Sequence, residues 1–130
     1  MSYMTQSLED YIETIYMIVK SGAEASVHAV AKELGVKMPS VVKAMRELKR
    51  MELVTQQPYS SICLTDKGRR VATAVLRRHM LLRRFLEMLG VGSVNADRDA
   101  CRMEHFLSAE TLDKIRLFTN NGKVIGNPQK

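Results

Sequence analysis

"VHAVAKELGVKMPSVVKAMRELKRMELV", residues 27–54, decides the fold. Ser26 just before it is a good N-cap, and Gly35 is a helix stop, so 27–34 reads as a short helix. After the tight turn "VKMP", Pro39 opens a second helix in which Val41, Met45 and Leu48 step along one face. Short helix, turn and amphipathic helix in that order predict a helix-turn-helix. "LVTQQPYSSICLTDKG" follows, two β-prone runs around "QPYSS" that predict a hairpin, the wing.

Working outward, Leu8, Ile12, Ile15 and Val19 recur at helical spacing, and Tyr11 and Ile18 widen the stripe. Residues 5–20 therefore read as an amphipathic helix, with Ser7 as its N-cap. Downstream, Val71, Val75, Leu82, Phe85, Leu86 and Leu89 stripe one long helix from Val71, stopped at Gly90. Leu76 and Met80 lie off that stripe and add more apolar surface than one small core needs, which predicts a homodimer. "NADRDACRMEHFL" is a further helix, and "SAETLDKIRLF" another, capped by Ser108 with Glu110 or Thr111 in its first turn. The tail "NNGKVIGNPQK" carries little pattern. The fold class expected is mainly α: a winged helix-turn-helix at 1–72, then a helical dimerisation and metal-binding domain at 73–130.

The totals agree with this. With 130 residues, 45% hydrophobic and 26% charged, the chain suits one domain or two small ones sharing a core. No run approaches the roughly 18 apolar residues of a membrane span, and "MSYMTQSLEDY" has no basic and apolar leader, so a cytoplasmic protein with no membrane partner is expected. Two cysteines, Cys63 and Cys101, argue against a disulfide scaffold. A formal charge of +6 permits a polyanionic partner. The charge is also localised: Lys67 to Arg84 holds seven basic residues and no acidic one, and Lys37 to Arg50 holds five against Glu47.

A recognition helix from Ser40 to Arg50 would enter the major groove of double-stranded DNA with its first turns at base edges. Ser40, Lys43 and Arg46 point away from the Val41, Met45, Leu48 stripe. Lys37 and Pro39 lie in the turn and helix start, and Lys67 and Arg69 after the wing; the lysines and Arg69 are placed to reach phosphates. A winged helix can also dock proteins, and a lone basic helix is more often a solvated surface. The ordered helix, turn, helix and hairpin favour DNA.

A second chemistry sits in "ACRMEHFLS", residues 100–108. Cys101, Glu104 and His105 fall at i, i+3 and i+4, one helix face. His79 lies among arginines in the long helix, and Asp10 and Glu13 are one turn apart in "LEDYIETIY". Two carboxylates that close repel unless a cation or proton lies between them. Taken singly, Asp10 and Glu13 read as a solvated helix start, His79 as a half-buried surface residue and Cys101 as a core thiol. Together, six candidate ligands from three helices could surround one or two divalent ions. His28 reads as surface, and Cys63, alternating with Ile62 and Leu64, as structural.

"LEDYIETIYMI", "MPSVVKAMRELKRMELV", "LTDKGRRVA", "RRHMLLRRFLEMLGV" and "ACRMEHFLS" together resemble the diphtheria toxin repressor family of metal-dependent bacterial regulators, over residues 5–120. The short chain resembles the manganese transport regulator branch, which lacks the SH3-like third domain of the iron regulators. The resemblance implies a winged-helix repressor whose metal ligands are Asp10, Glu13, His79, Cys101, Glu104 and His105. Two departures matter. The manganese branch has glutamate at Cys101, whereas the iron branch has cysteine there but usually methionine at Asp10, so the chain is a hybrid. The family's ancillary site has a glutamate one turn after its helix histidine, where this chain has Arg83.

The implied mechanism is a divalent transition metal, Fe(II) or Mn(II) foremost and Zn(II) or Co(II) also compatible, that clamps the two domains and sets the spacing of two recognition helices in a dimer. The rivals are a metal-independent winged-helix regulator with a small-molecule pocket and, from another class, a metalloenzyme. A six-ligand shell leaves no open position, and no nucleophile–base set or Gly-rich phosphate loop occurs, which argues against an enzyme.

Overall fold

Thr5, not Ser7, starts the first helix. Its extended backbone lets its hydroxyl accept the Leu8 N–H at 3.1 Å, while Ser7 already lies in the first turn. The computed structural model describes residues 4–56 and 61–121. Its elements run α1 (Gln6–Lys20), α2 (Val27–Leu34), α3 (Met38–Arg50), β1 (Val54–Thr55), β2 (Cys63–Leu64), α4 (Asp66–Met88), α5 (Ser93–Met103) and α6 (Ala109–Asn121). The chain divides into two compact units, Met1–Val75 and Leu76–Lys130. Among the described residues no helix is long and apolar enough to cross a membrane.

In the first unit, Ser26 accepts the Ala29 N–H at 3.0 Å and begins α2. Gly35 ends it at φ 68°, and Val36 N–H closes back onto Ala31 O at 3.0 Å. That closure is the glycine-dependent helix stop expected there, and it turns the chain tightly into α3. Pro39 falls in the first turn of α3, where its missing N–H removes no helical bond. Val41, Ala44, Met45 and Leu48 are buried against Ile12, Ile15, Val30 and Leu53, so the helix-turn-helix is held by one apolar core.

The wing is a two-stranded antiparallel ladder, Val54 opposite Leu64 and Thr55 opposite Cys63. The predicted "QPYSS" tip falls largely on residues 57–60, and most of the predicted tail on 122–130; both segments lie outside the described residues. Ile62 plugs the core and its N–H bonds Ala25 O at 2.7 Å. Cys63 faces outward and is exposed, so the side chain read as structural is not part of the core.

One boundary differs by more than a turn. α4 begins at Asp66, not Val71. Thr65 caps it, accepting the Gly68 N–H at 2.9 Å while its own hydroxyl donates to Glu52 O at 2.7 Å. "TDKG" is therefore the start of a helix, and Lys67 and Arg69 sit on its first turn. α4 ends where Gly90 adopts φ 97° and Val91 N–H returns to Leu86 O at 3.0 Å.

In the second unit Leu82, Ala96, Ala100 and Phe118 are buried, and Phe85 meets Phe118 edge to face at 5.6 Å. Ser108 caps α6 through the Thr111 N–H at 3.1 Å, as the sequence predicts. Met80, Leu89 and Leu117 remain more than half exposed.

Candidate metal centre and nucleic-acid face

α4 and α5 build the centre. His79 projects from α4, and Cys101 from the last turn of α5. The helix predicted to carry the whole trio stops at Met103; Glu104 is its C-cap and His105 lies in the turn beyond. Cys101 and Glu104 keep nearly helical spacing, because Glu104 retains αR backbone and bonds Ala100 O at 3.0 Å. The negative end of the α5 dipole lies at the same place and favours a cation.

One donor atom each from His79, Cys101 and Glu104 lie within 4.8 Å of one another. His79 Nδ1 is 3.6 Å from Glu104 Oε2, and His105 Nε2 is 3.4 Å from Glu104 Oε1. The Glu104 side chain is fully buried and that of His105 nearly so. Burying a carboxylate costs several kcal/mol unless charge and hydrogen bonds offset it. The inner nitrogen of His79 is buried and makes no hydrogen bond, whereas its outer Nε2 lies 2.8 Å from Asp97 Oδ1. A ring nitrogen held by one carboxylate, with the other facing a buried carboxylate, is how proteins present histidine to a metal. Imidazole, thiolate and carboxylate suit divalent first-row ions. The residues fit such an ion.

Asp97 was not among the predicted ligands. Its signal is its spacing: Asp97 and Cys101 stand at i and i+4, on one face of α5.

In the first unit, Asp10 and Glu13 are one turn apart on α1, both half-buried beside the core residues Tyr11, Ile12, Thr14 and Ile15. His28 is exposed, as expected of a surface residue.

The α3 face opposite the core carries Ser40, Lys43 and Arg46, all exposed, with Lys37 preceding the helix and Pro39 in its first turn. Glu47 on the same side pairs with Arg50. Lys67 and Arg69, the two α4 residues expected at phosphates, are already engaged: Lys67 Nζ donates to Met51 O at 3.2 Å, and Arg69 pairs with Asp66 at 3.1 Å. Such exposed contacts are weak, so a phosphate can compete for either group. Sequence reading overlooked Met38 and Val42, which are 47% and 45% exposed on the same helix. Exposed apolar groups on a recognition helix can meet the methyl group of thymine.

A winged helix-turn-helix joined to a helical unit with a His–Cys–Glu centre defines a metal-dependent DNA-binding transcriptional repressor. The chain belongs to the iron-dependent repressor family: residues 3–62 match its N-terminal DNA binding domain and residues 65–128 its metal binding and dimerisation domain. Its cofactor is accordingly a divalent transition metal. The chain is 36% identical to an uncharacterised HTH-type transcriptional regulator of Methanocaldococcus jannaschii, over 92% of this chain and 98% of that one. It is 38% identical to the HTH-type transcriptional regulator MntR of Geobacillus kaustophilus, over 85% of this chain and 79% of the relative. Among solved structures, a manganese-dependent transcriptional repressor in complex with manganese superposes with TM-score 0.80 at 30% identity, covering 87% of this chain and 52% of that one. The manganese regulator SloR does so with TM-score 0.77 at 26% identity, covering 87% and 53%. The chain thus spans about half the length of those two structures.

Proposed function

We propose that the protein is a cytoplasmic, homodimeric repressor of metal-ion homeostasis that binds its operator only when a divalent ion occupies a centre formed by His79, Cys101, Glu104 and His105 with Asp10 and Glu13. The observation that carries this reading is the convergence of His79, Cys101 and the buried Glu104, with Asp97 behind the histidine. When bound, the ion supplies positive charge that offsets the mutual repulsion of the carboxylates. Asp10 and Glu13 are the ligands α1 contributes to this set. Met80 and Leu117, both exposed, supply apolar surface for a dimer contact. A fixed dimer sets the separation of two α3 helices, which must suit half-sites about 34 Å apart. Lys43, Arg46 and Ser40 then read base edges, while Lys37, Lys67 and Arg69 hold phosphates. Ligation shifts this equilibrium only by its differential affinity for the DNA-competent arrangement.

Cys101 gives the site one soft donor among oxygens and imidazoles. That favours Fe(II), Co(II) or Zn(II) over Mn(II), in a shell whose six protein ligands suit regulation and not catalysis. A second reading has one observation in its favour: an open apolar cleft of about 430 Å³ lined by Phe85, Leu89, Ile115 and Phe118, which suits a small organic effector of a metal-independent regulator. DNA binding titrated with and without a chelator separates the two. The metal reading expects at least a tenfold loss of operator affinity on chelation; equal affinity in both arms refutes it.

A further inference from the structure

The outer side of His79 is as ordered as its inner side. Arg83 follows His79 by one turn of α4, and Glu87 follows Arg83 by another. Arg83 Nη1 lies 3.7 Å from Asp97 Oδ1, the same oxygen that meets His79 Nε2 at 2.8 Å. Arg83 Nε lies 3.7 Å from Glu87 Oε2, which accepts the Ser93 hydroxyl at 3.0 Å. Ser93, Glu87, Arg83, Asp97 and His79 therefore form one chain across α4 and α5. Without the guanidinium, the carboxylates of Asp97 and Glu87 would be left without the cation between them, a pair that attracts another.

Building on the metal reading above, we propose that Arg83 is a built-in cation: it locks Asp97 against His79, makes Asp97 a positioning residue for the metal centre, and closes the outer side of the histidine to a further ion. Asp97 is 54% exposed and on its own would be free to swing into solvent. A planar guanidinium between two carboxylates restricts it. With Asp97 accepting from Nε2–H, the Nδ1 lone pair is left on the side of Glu104, 3.6 Å away, the tautomer a metal needs. Arg83 supplies fixed charge where a second ion would have to be recruited from solution, so the outer position stays filled at any metal concentration.

The test is anaerobic calorimetric titration of the full-length protein with Co(II), read together with the thiolate-to-cobalt absorption band that reports Cys101. Asp97→Asn, close in shape and exposed, keeps the helical circular dichroism, weakens Co(II) by about 10–100-fold and shifts the band. Arg83→Ala weakens it less, and Arg83→Lys restores most of the affinity. Arg83→Glu completes an outer carboxylate set and takes up one more ion per subunit than the wild type. Asp97→Asn and Arg83→Ala binding as the wild type does, with an unchanged band, overturns the proposal. So does an unchanged ion count in a folded Arg83→Glu. The metal reading fails separately, and the proposal with it, if the wild type binds Co(II) no better than Cys101→Ala/Glu104→Ala.

Discussion

Gly68 sits in the first turn of α4 against the backbone of Leu53, where α3 gives way to the wing. A Cβ built there falls inside the van der Waals surface of Leu53 O and only 2.9 Å from its carbonyl carbon. Those are backbone atoms and cannot rotate away. Leu53 O also accepts the Thr65 N–H at 3.0 Å, so pushing it aside breaks the bond that joins the wing to the start of α4. Gly68→Ala gains about 1 kcal/mol from helix propensity. Against that stand about 1–3 kcal/mol for overpacking and about 1 kcal/mol for the lost hydrogen bond. The clash wins, with a net destabilisation of about 1–3 kcal/mol, or about 3–12 °C in Tm for a chain of this size. The assay is urea unfolding followed by circular dichroism in the presence of a chelator, since bound metal would add its own stabilisation. A variant as stable as the wild type, or more so, refutes the claim that α4 is docked on the wing through this contact.

Four further outcomes are expected. DNA affinity measured against buffered free metal should show activation by Fe(II), Co(II) or Zn(II) at lower concentration than Mn(II), with Cys101→Glu narrowing the gap; an unchanged response means Cys101 is not a ligand. Lys43→Ala and Arg46→Ala should each weaken operator binding by about 1–3 kcal/mol and relax specificity. Lys67→Ala should instead weaken all sequences alike and lower the salt slope by about 0.9; uniform effects from all three variants would mean that α3 does not read bases. Val42→Ala should weaken binding by about 1 kcal/mol only where thymine lies beneath it, so replacing operator thymines with deoxyuridine should remove the difference between Val42→Ala and wild type.

The helix-turn-helix was legible because its signals are local. Ser26 acts through its hydroxyl, and Gly35 and Pro39 through their own backbone, each within a few residues, and the Val41, Met45, Leu48 stripe needs only the helical period. The start of α4 was not legible, because Thr65 caps it while being held by Glu52, thirteen residues away. Glu52 in turn owes its carbonyl direction to a left-handed backbone at φ 62°, which no nearby glycine advertises. The end of α5 was missed for a similar reason: neither glycine nor proline interrupts "RMEHF", and the helix gives way at Glu104 without a sequence signal.

The centre divides along the same line. His79, Cys101 and Glu104 could be nominated because their side chains are chemically rare or closely spaced. Which carboxylate orients His79 could not. "NADRDAC" offers Asp97 and Asp99, and both are ordinary helix-surface residues by pattern. Only Asp97 stands four residues before Cys101, on the face that α5 turns toward α4, and that choice is made by packing. Ala96 and Ala100 are fully buried, and two residues that small leave room for a neighbouring helix to come close. The two alanines, apolar and unremarkable in sequence, therefore fix which face of α5 looks inward. The two buried alanines thus help shape the candidate metal centre, although neither carries a ligand atom.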